Sequence, residues 1–326
     1  MLEKKNHLLP NKFSLINEMD HSKKIFDIIT KFKIDKIIAF DIISASQCFR
    51  IKKRKIVWLG DLRFQTNFYN YLMDLKSNFY LIRHLFYIIY QNYLLKKKYF
   101  EYLKDIDRIV VSSKSSEKQL MKIGINSIFL PYPWPKLFKL SEKYKKKIPE
   151  FLFFGNLSGL GSKSAIFELF NRIYPIILEK MGEKKFKINI AGSNYERSYL
   201  RKINLEKFPE VKFYGFVDKL DSLFSNSIAI IFPGNIPVGN RCRLISCMAI
   251  GLPIIADESC KAGNPYLEDS QTALLAKSPE EFVKKMLLCV DNNMLRNELI
   301  LNAKKLYNKY YSPKNAGKIF EKFINE

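Results

Sequence analysis

The chain has 326 residues, 47% of them apolar and 14% aromatic, which is enough for packed cores and two domains and excludes a disordered chain. Its formal charge is +23, and residues 1–150 hold 30 basic against 14 acidic side chains, so an acidic partner such as anionic lipid or nucleic acid is expected. The alternative is a compositional bias toward Lys, Ile and Asn. The five cysteines form no C-x-x-C pair and only three histidines accompany them, which argues against a Cys/His metal centre.

No apolar run reaches the roughly 18–20 residues that a membrane span needs, and the first residues lack the apolar core of a signal peptide. The scattered cysteines are those of a protein with reduced thiols. We therefore expect a cytoplasmic protein, which meets a membrane only peripherally on its inner face.

Two predicted strands in the first half each end in a carboxylate. After a helix at 22–33, the apolar run 36–40 is followed by Asp41, and the run 56–59 by Gly60 and Asp61. Carboxylates just after parallel strands face the crevice where α/β sheets bind ligands, which makes both candidate catalytic residues. A helix N-cap is the alternative role for each.

Residues 64–103 contain thirteen Phe or Tyr side chains, several lysines, and neither Gly nor Pro. The pattern predicts one long or two consecutive helices, apolar over most of their circumference. It is typical of a segment that dips into a lipid interface, with Lys96, Lys97 and Lys98 at headgroup level. A buried core is the alternative, and stacking on single-stranded nucleic acid lacks a supporting motif.

Strand and helix signals then alternate through the rest of the chain. A strand at 109–112, a helix at 115–123 and a strand at 127–130 precede a Pro-rich and Lys-rich stretch, which predicts a boundary near 136–149 and domains 1–145 and 146–326. The second domain has predicted strands at 151–154, 186–191, 211–214, 228–232, 254–257 and 272–275. Predicted helices lie at 163–181, from 194 to Leu205, and at 220–225, 241–250, 278–291, 293–309 and 312–325. This alternation predicts a doubly wound parallel sheet.

The unit from Ser227 to Asp257 combines a buried strand, a Pro/Gly loop, a helix and a second strand. Asn240 is a good N-cap for the helix, which carries Arg241 and Arg243 in its first turn. Those charges oppose the helix dipole, so an anion bound at the helix N-terminus explains them better than local stability does. The loop 155–162 has neither the acidic partner of a nicotinamide site nor the lysine of a P-loop.

Five segments, in order, resemble the donor-binding domain of the GT-B glycosyltransferases, especially glycosyltransferase family 4. They are Phe154-Gly155-Asn156-Leu157, the run from Val211 to Val217, the run from Gly239 to Ile255, Gln271 to Leu275, and the tail near Tyr311-Ser312. The N-terminal half is similar through its strands and the turn at Asp61, and its domain looks shortened. Where the family carries paired glutamates, this chain has Val238 and Ser246.

The resemblance implies two Rossmann-like domains facing across a cleft, and a retaining, metal-independent transfer from a nucleotide-diphosphate sugar to a lipid-linked or cell-envelope glycan, as in polysaccharide or lipopolysaccharide synthesis. It implies no cofactor and no metal. The basic and aromatic N-terminal half makes an anionic membrane surface the expected partner, and nucleic acid, which rests on charge alone, is not expected. The alternative is a catalytically silent homologue that binds nucleotide or glycan, or that partners an active transferase. Asp61 and Asp41 are the candidate catalytic residues, and the candidate donor-binding residues are Gly155, Asn156, Lys163, Gly215, Val217, Gly239, Asn240, Arg241, Arg243 and Ser246.

Overall fold

A computed structural model describes residues 21–138, 140, 148–181 and 185–326, and the chain divides into two compact units, Met1–Leu130 and Pro131–Glu326. The division falls earlier in the chain than the predicted boundary at 136–149, much of which, including the charged run 143–147, lies outside the described residues. The predicted limits 1–145 and 146–326 stay a prediction.

The first unit is built on a four-stranded parallel sheet in the order β1-β2-β3-β4. Phe40 lies opposite Trp58 in the register, and Leu59 lies opposite Val111, so the ends of the first three strands are aligned. The strands are β1 (Lys36–Phe40), β2 (Arg54–Leu59), β3 (Arg108–Val111) and β4 (Ile128–Phe129). The helices are α1 (Ser22–Lys31), α2 (Asp41–Cys48), α3 (Arg63–Ser77), α4 (Leu85–Leu103) and α5 (Lys114–Met121), with a 3-10 turn at Phe79–His84 between α3 and α4.

The second unit is built on a six-stranded parallel sheet in the order β10-β9-β8-β5-β6-β7. Its strands are β5 (Glu150–Asn156), β6 (Lys187–Ser193), β7 (Val211–Phe213), β8 (Ala229–Phe232), β9 (Ile254–Asp257) and β10 (Leu274–Ala276). Its helices are α6 (Leu160–Glu168), α7 (Tyr174–Met181), α8 (Asp221–Ser225), α9 (Cys242–Ile250), α10 (Pro279–Asp291), α11 (Asn293–Leu306) and α12 (Pro313–Asn325). The predicted doubly wound α/β architecture is confirmed.

The apolar runs of the sequence form the centre of this second sheet. Side chains of β5, β8 and β9 are almost wholly buried and belong to one cluster with helices on both faces of the sheet. Strands that are covered on both faces of a sheet are continuously apolar. These runs could therefore be recognised as strands although apolar and polar residues do not alternate in them. Two helices contain single π turns, at Leu169–Ile173 and Tyr307–Tyr311.

One predicted element was wrong. In place of a helix reaching Leu205, residues 195–207 form three short 3-10 turns. The Ser198 hydroxyl donates to the Tyr195 carbonyl and the Asn204 side chain accepts from the Glu206 amide, so local side-chain bonds replace the helical ladder. Within the described parts of the chain, no helix is both long and apolar enough to cross a bilayer.

Candidate functional site

The strand order of the second unit has one topological switch point. After β5 the chain forms β6 and β7 on one side of that strand. It then crosses to the other side of β5, where β8, β9 and β10 follow one another. The direction in which strands are added to the sheet therefore reverses between β5 and β8. Loops that follow such strands diverge and leave a crevice at their carboxyl ends. Gly155 and Asn156 end β5 and lead into the loop before α6, and the loop after β8 leads into Arg241 and α9. The fold therefore brings together two segments that the sequence analysis selected separately.

Arg243 spans this crevice. Its Nη1 donates to the Phe154 carbonyl oxygen at 2.7 Å and its Nη2 to the Ser162 hydroxyl at 2.8 Å. Its guanidinium carbon lies 5.2 Å from the Phe153 ring centroid and 4.9 Å from that of Phe232. A guanidinium has more N–H donors than these two bonds use, so Arg243 is held in place and can still donate to a ligand.

Arg241 lies on the same aromatic ring. Its Nη2 donates to the Ile236 carbonyl oxygen at 2.6 Å, and its guanidinium carbon is 5.3 Å from the Phe232 centroid. Its backbone amide donates to the side chain of the fully buried Asn264 at 3.1 Å. The Arg241 Nε is buried and has no hydrogen-bond partner in the described part of the chain, which is unusual for a charged donor.

The two guanidinium groups form a positively charged cluster without a counter-ion. Neither makes an ion pair with a carboxylate in the described part of the chain. Burial, reinforced by the neighbouring Arg241, lowers the pKa of Arg243 from 12.5 to about 10. Burial also raises the pKa of the nearby Cys260 thiol to about 11, so that thiol supplies no negative charge at neutral pH. Positive charge held in this way is a feature of anion sites.

The two glycines at this site allow the backbone to approach the arginines closely. A Cβ atom on Gly155 would lie 3.1 Å from the Arg243 guanidinium carbon, and one on Gly161 would lie 3.1 Å from the Arg241 Nη1. Gly155 also has a φ of +125°, which favours glycine strongly. The loop 155–161 and the two arginines thus form one compact surface.

The N-terminus of α9 differs from the prediction. Arg241, not Asn240, is the N-cap residue, and no side chain caps the helix. The Asn240 side-chain oxygen instead accepts from Asn264 at 3.0 Å, while its Nδ2 is buried and has no partner among the residues that the structure describes. No side-chain cap therefore competes with an anion at this end of the helix.

The other predicted donor-binding residues lie in several places. The Asn156 Oδ1 accepts from Ser158 and Asn194, which closes its own loop. The Ser246 hydroxyl is engaged by the Trp134 indole N–H at 2.7 Å. Lys163 lies on α6, and Gly239 has a left-handed backbone with a φ of +76°. The Gly215 carbonyl oxygen accepts from the Gly192 amide, and the Val217 side chain packs against the core of the second unit. Their roles in donor binding stay predictions.

The predicted catalytic carboxylates lie at the carboxyl edge of the first unit's sheet. Asp41 has a φ of +71°, its Oδ1 accepts from the Ile42 amide at 2.6 Å, and its Oδ2 is 3.4 Å from an Arg63 nitrogen. Asp61 is exposed. Both raise the pKa of the buried Tyr99, although burial is the larger cause, so the two carboxylates share one neighbourhood. A left-handed conformation at a non-glycine residue is costly, and such residues concentrate at functional sites.

Sequence reasoning missed several contributors to this site. Phe232 was assigned only to a strand and Ser162 only to a loop, but one stacks under both guanidiniums and the other bonds Arg243. Asn264 positions Arg241 from a loop more than twenty residues away. The only available signal was an Asn directly before Pro265, a pair of residues typical of turns. No cluster of three or more His, Cys, Asp or Glu that could hold a metal occurs in the described ranges.

Comparison with known proteins agrees with this geometry. Residues 148–292 match the sequence model of the family Glycosyl transferases group 1. No curated protein sequence matches the chain. A solved structure of a glycosyltransferase from Rickettsia africae is 14% identical, with a TM-score of 0.69 over 96% of this chain and 81% of that one.

Two further solved structures have the same fold. Sucrose-phosphate synthase from Thermosynechococcus elongatus is 12% identical, with a TM-score of 0.68 over 97% of this chain and 80% of that one. HepE from Anabaena in complex with UDP is 11% identical, with a TM-score of 0.69 over 93% of this chain and 81% of that one. Residues 148–292 are therefore a glycosyl transferases group 1 domain, and the chain has the GT-B fold of two Rossmann-like sheets.

Proposed function

We propose that this chain is a retaining, metal-independent transferase of the family 4 type, which moves a sugar from a nucleotide-diphosphate donor. The observation that carries the proposal is the pair Arg241 and Arg243, stacked on Phe232 with no carboxylate partner. A diphosphate supplies the missing negative charge and the acceptors for their remaining N–H groups. The switch-point crevice is where α/β sheets bind such ligands.

The same pair explains how the bond to the sugar is broken. When the glycosidic bond to the donor phosphate breaks, negative charge develops on the leaving diphosphate. Two preorganised guanidiniums and the uncapped amides of α9 stabilise that charge more than they stabilise the bound donor. This is the role that a divalent cation plays in other transferases, and it supports metal independence.

The solved relatives indicate which donors to test first. HepE was crystallised in complex with UDP and with UDP-glucose, and TarM with UDP and α-GlcNAc-glycerol. UDP-glucose and UDP-GlcNAc are therefore the first donors to test. The acceptor we propose is a lipid-linked or cell-envelope glycan, in polysaccharide or lipopolysaccharide synthesis, met by a peripheral protein on the inner face of the cytoplasmic membrane.

Asp61 and Asp41 are the proposed catalytic carboxylates. Asp61 is exposed at the carboxyl edge of the sheet, whereas Asp41 is oriented by Arg63 and by the Ile42 amide. The strained backbone at Asp41 supports a role beyond capping a helix. Both remain assignments to be tested by substitution with Asn.

Calorimetric titration tests the donor site directly. We expect UDP to bind the full-length protein and uridine to bind at least tenfold more weakly, because most of the affinity comes from the arginine pair. If no nucleoside diphosphate binds more tightly than its nucleoside, the donor site is not at the arginines. Tight UDP binding without turnover of any donor in the presence of membrane extract would favour the catalytically silent homologue.

A further inference from the structure

The 3-10 turn and α4 present aromatic side chains to solvent instead of to the core. Phe79, Tyr80 and Phe86 are 76%, 83% and 84% exposed. Exposed side chains on α4 follow one another at alternating spacings of four and three residues, which places them on one face of the helix. They are Phe86, Tyr90, Tyr93, Lys97 and Phe100. We call these five, together with Phe79 and Tyr80, the aromatic stripe.

The side chains of the aromatic stripe are not part of the hydrophobic core of the first unit. The opposite face of α4 buries Ile88, Leu95, Tyr99 and Leu103, so the helix already packs fully against the unit. Single exposed apolar residues are ordinary, but a contiguous row of this size on one face marks an interaction surface.

The stripe is also held in place. The Tyr71 hydroxyl donates to the Leu81 carbonyl oxygen at 2.8 Å, and the Asn78 side chain accepts from the Tyr80 amide at 3.2 Å. Leu81, Ile88 and Tyr71 form a small buried cluster beneath the turn. Because the inner side is fixed, the outward aromatics need little further ordering on binding, which lowers the entropic cost of an interaction.

Charge indicates the kind of partner. Residues 79–103 carry four basic side chains and one acidic one. The Lys96 ammonium lies 5.7 Å over the Phe64 ring, and that of Lys98 lies 3.0 Å from Glu101, so both are engaged by the protein itself. Lys97 lies within the stripe and makes no ion pair among the described residues. Pairing two copies through the stripe would bring like charges together, whereas an anionic surface neutralises them.

We infer that the aromatic stripe inserts into the interface of an anionic lipid bilayer. Phe86 and Phe79 enter the acyl boundary, and the tyrosines lie at headgroup level, where an apolar ring and a polar hydroxyl are both accommodated. Lys97 and Arg83 pair with lipid phosphates. This inference rests on the proposed peripheral location and identifies the surface that contacts the membrane. It also revises the expectation that Lys96, Lys97 and Lys98 contribute equally to membrane binding.

Flotation of the full-length protein with phosphatidylcholine vesicles, with and without phosphatidylglycerol, tests the inference. The parent should float with the anionic vesicles and less so at high salt, because exposed charges are screened. Lys97→Gln should weaken binding about fivefold, while Lys98→Gln, the matched control, should change it by less than twofold. Phe86→Ser should weaken binding about tenfold or more, in contrast to Met294→Ser, which alters a similarly exposed apolar residue of the second unit.

The Lys97 variant keeps the test valid even if a Phe86 variant folds poorly, since an exposed lysine contributes little to folding. Equal losses for Lys97→Gln and Lys98→Gln, or parental binding by both stripe variants, would overturn the inference. So would a dimer in lipid-free sedimentation that Phe86→Ser dissociates. The assay contains no nucleotide and UDP titration contains no lipid, so failure of the stripe and failure of the donor site are separate results.

Discussion

Replacing Arg243 with Met should leave the apoprotein about as stable as the parent and yet weaken diphosphate binding. Lowering the pKa of this side chain from 12.5 to about 10 means that keeping it charged costs about 3 kcal/mol in the folded protein. Removing the charge recovers that amount. The Ser162 hydroxyl keeps its bond to the Asn156 carbonyl, and a Met side chain can still pack on the Phe153 and Phe232 rings. The main loss is therefore the partner of the Phe154 carbonyl, about 2–3 kcal/mol. The gain from removing the buried charge and the loss of this hydrogen bond nearly cancel. We therefore expect the free energy of unfolding to change by about 1 kcal/mol or less.

The affinity for UDP, unlike the stability, should fall strongly when Arg243 is replaced with Met. A charge-assisted contact to phosphate contributes about 1.5–3 kcal/mol, so the Arg243→Met variant should bind UDP about ten- to a hundredfold more weakly, with uridine binding unchanged. Urea unfolding measures the first quantity and calorimetry the second. Arg296, which bonds the carbonyl oxygens of Cys289 and Val290, is the matched control. Its Met variant should lose about 1–3 kcal/mol of stability and no UDP affinity.

The difference in stability between the parent and the Arg243→Met variant should depend on pH. Because the Arg243 pKa is lower in the folded protein, the unfolded chain binds the proton more tightly, and the parent gains stability relative to the Met variant as the pH rises above about 10. A loss of 3 kcal/mol or more in the apo variant would show that Arg243 is a structural residue. Unchanged UDP affinity would move the donor site elsewhere.

Two further substitutions test the parts that hold this site. Gly155→Ala places a Cβ 3.1 Å from the Arg243 guanidinium at a φ of +125°, so it should destabilise the protein by about 1–3 kcal/mol in urea unfolding and weaken UDP binding in calorimetry. Asn264→Ala removes the bonds to Asn240 and to the Arg241 amide, and should lower the free energy of unfolding by about 1–3 kcal/mol. If it left UDP affinity at the parental value, Arg241 would not need this support.

Much of the second unit could be predicted from the sequence because its strands are apolar on both faces. Runs such as 151–154 and 228–232 are short, continuously apolar and bounded by turn residues, a combination that favours the middle of a covered parallel sheet. Arg241 and Arg243 were selected as a candidate anion site for a different reason, since two cations at a positive helix end are unfavourable unless an anion is bound, and this role stays a prediction. The helix predicted to reach Leu205 failed because apolar periodicity cannot reveal side-chain bonds to the backbone such as that of Ser198.

The surroundings of the arginines and the orientation of the aromatic segment were decided only by the tertiary structure. Phe232 and Asn264 meet Arg241 because the strand order places β8 beside β5 and a later loop beside α9, contacts that no local pattern encodes. Likewise, a helix that is apolar over most of its circumference does not reveal which side is covered. Packing buried the face of Ile88 and left that of Phe86 in solvent, because only one face of α4 has the rest of the unit to pack against.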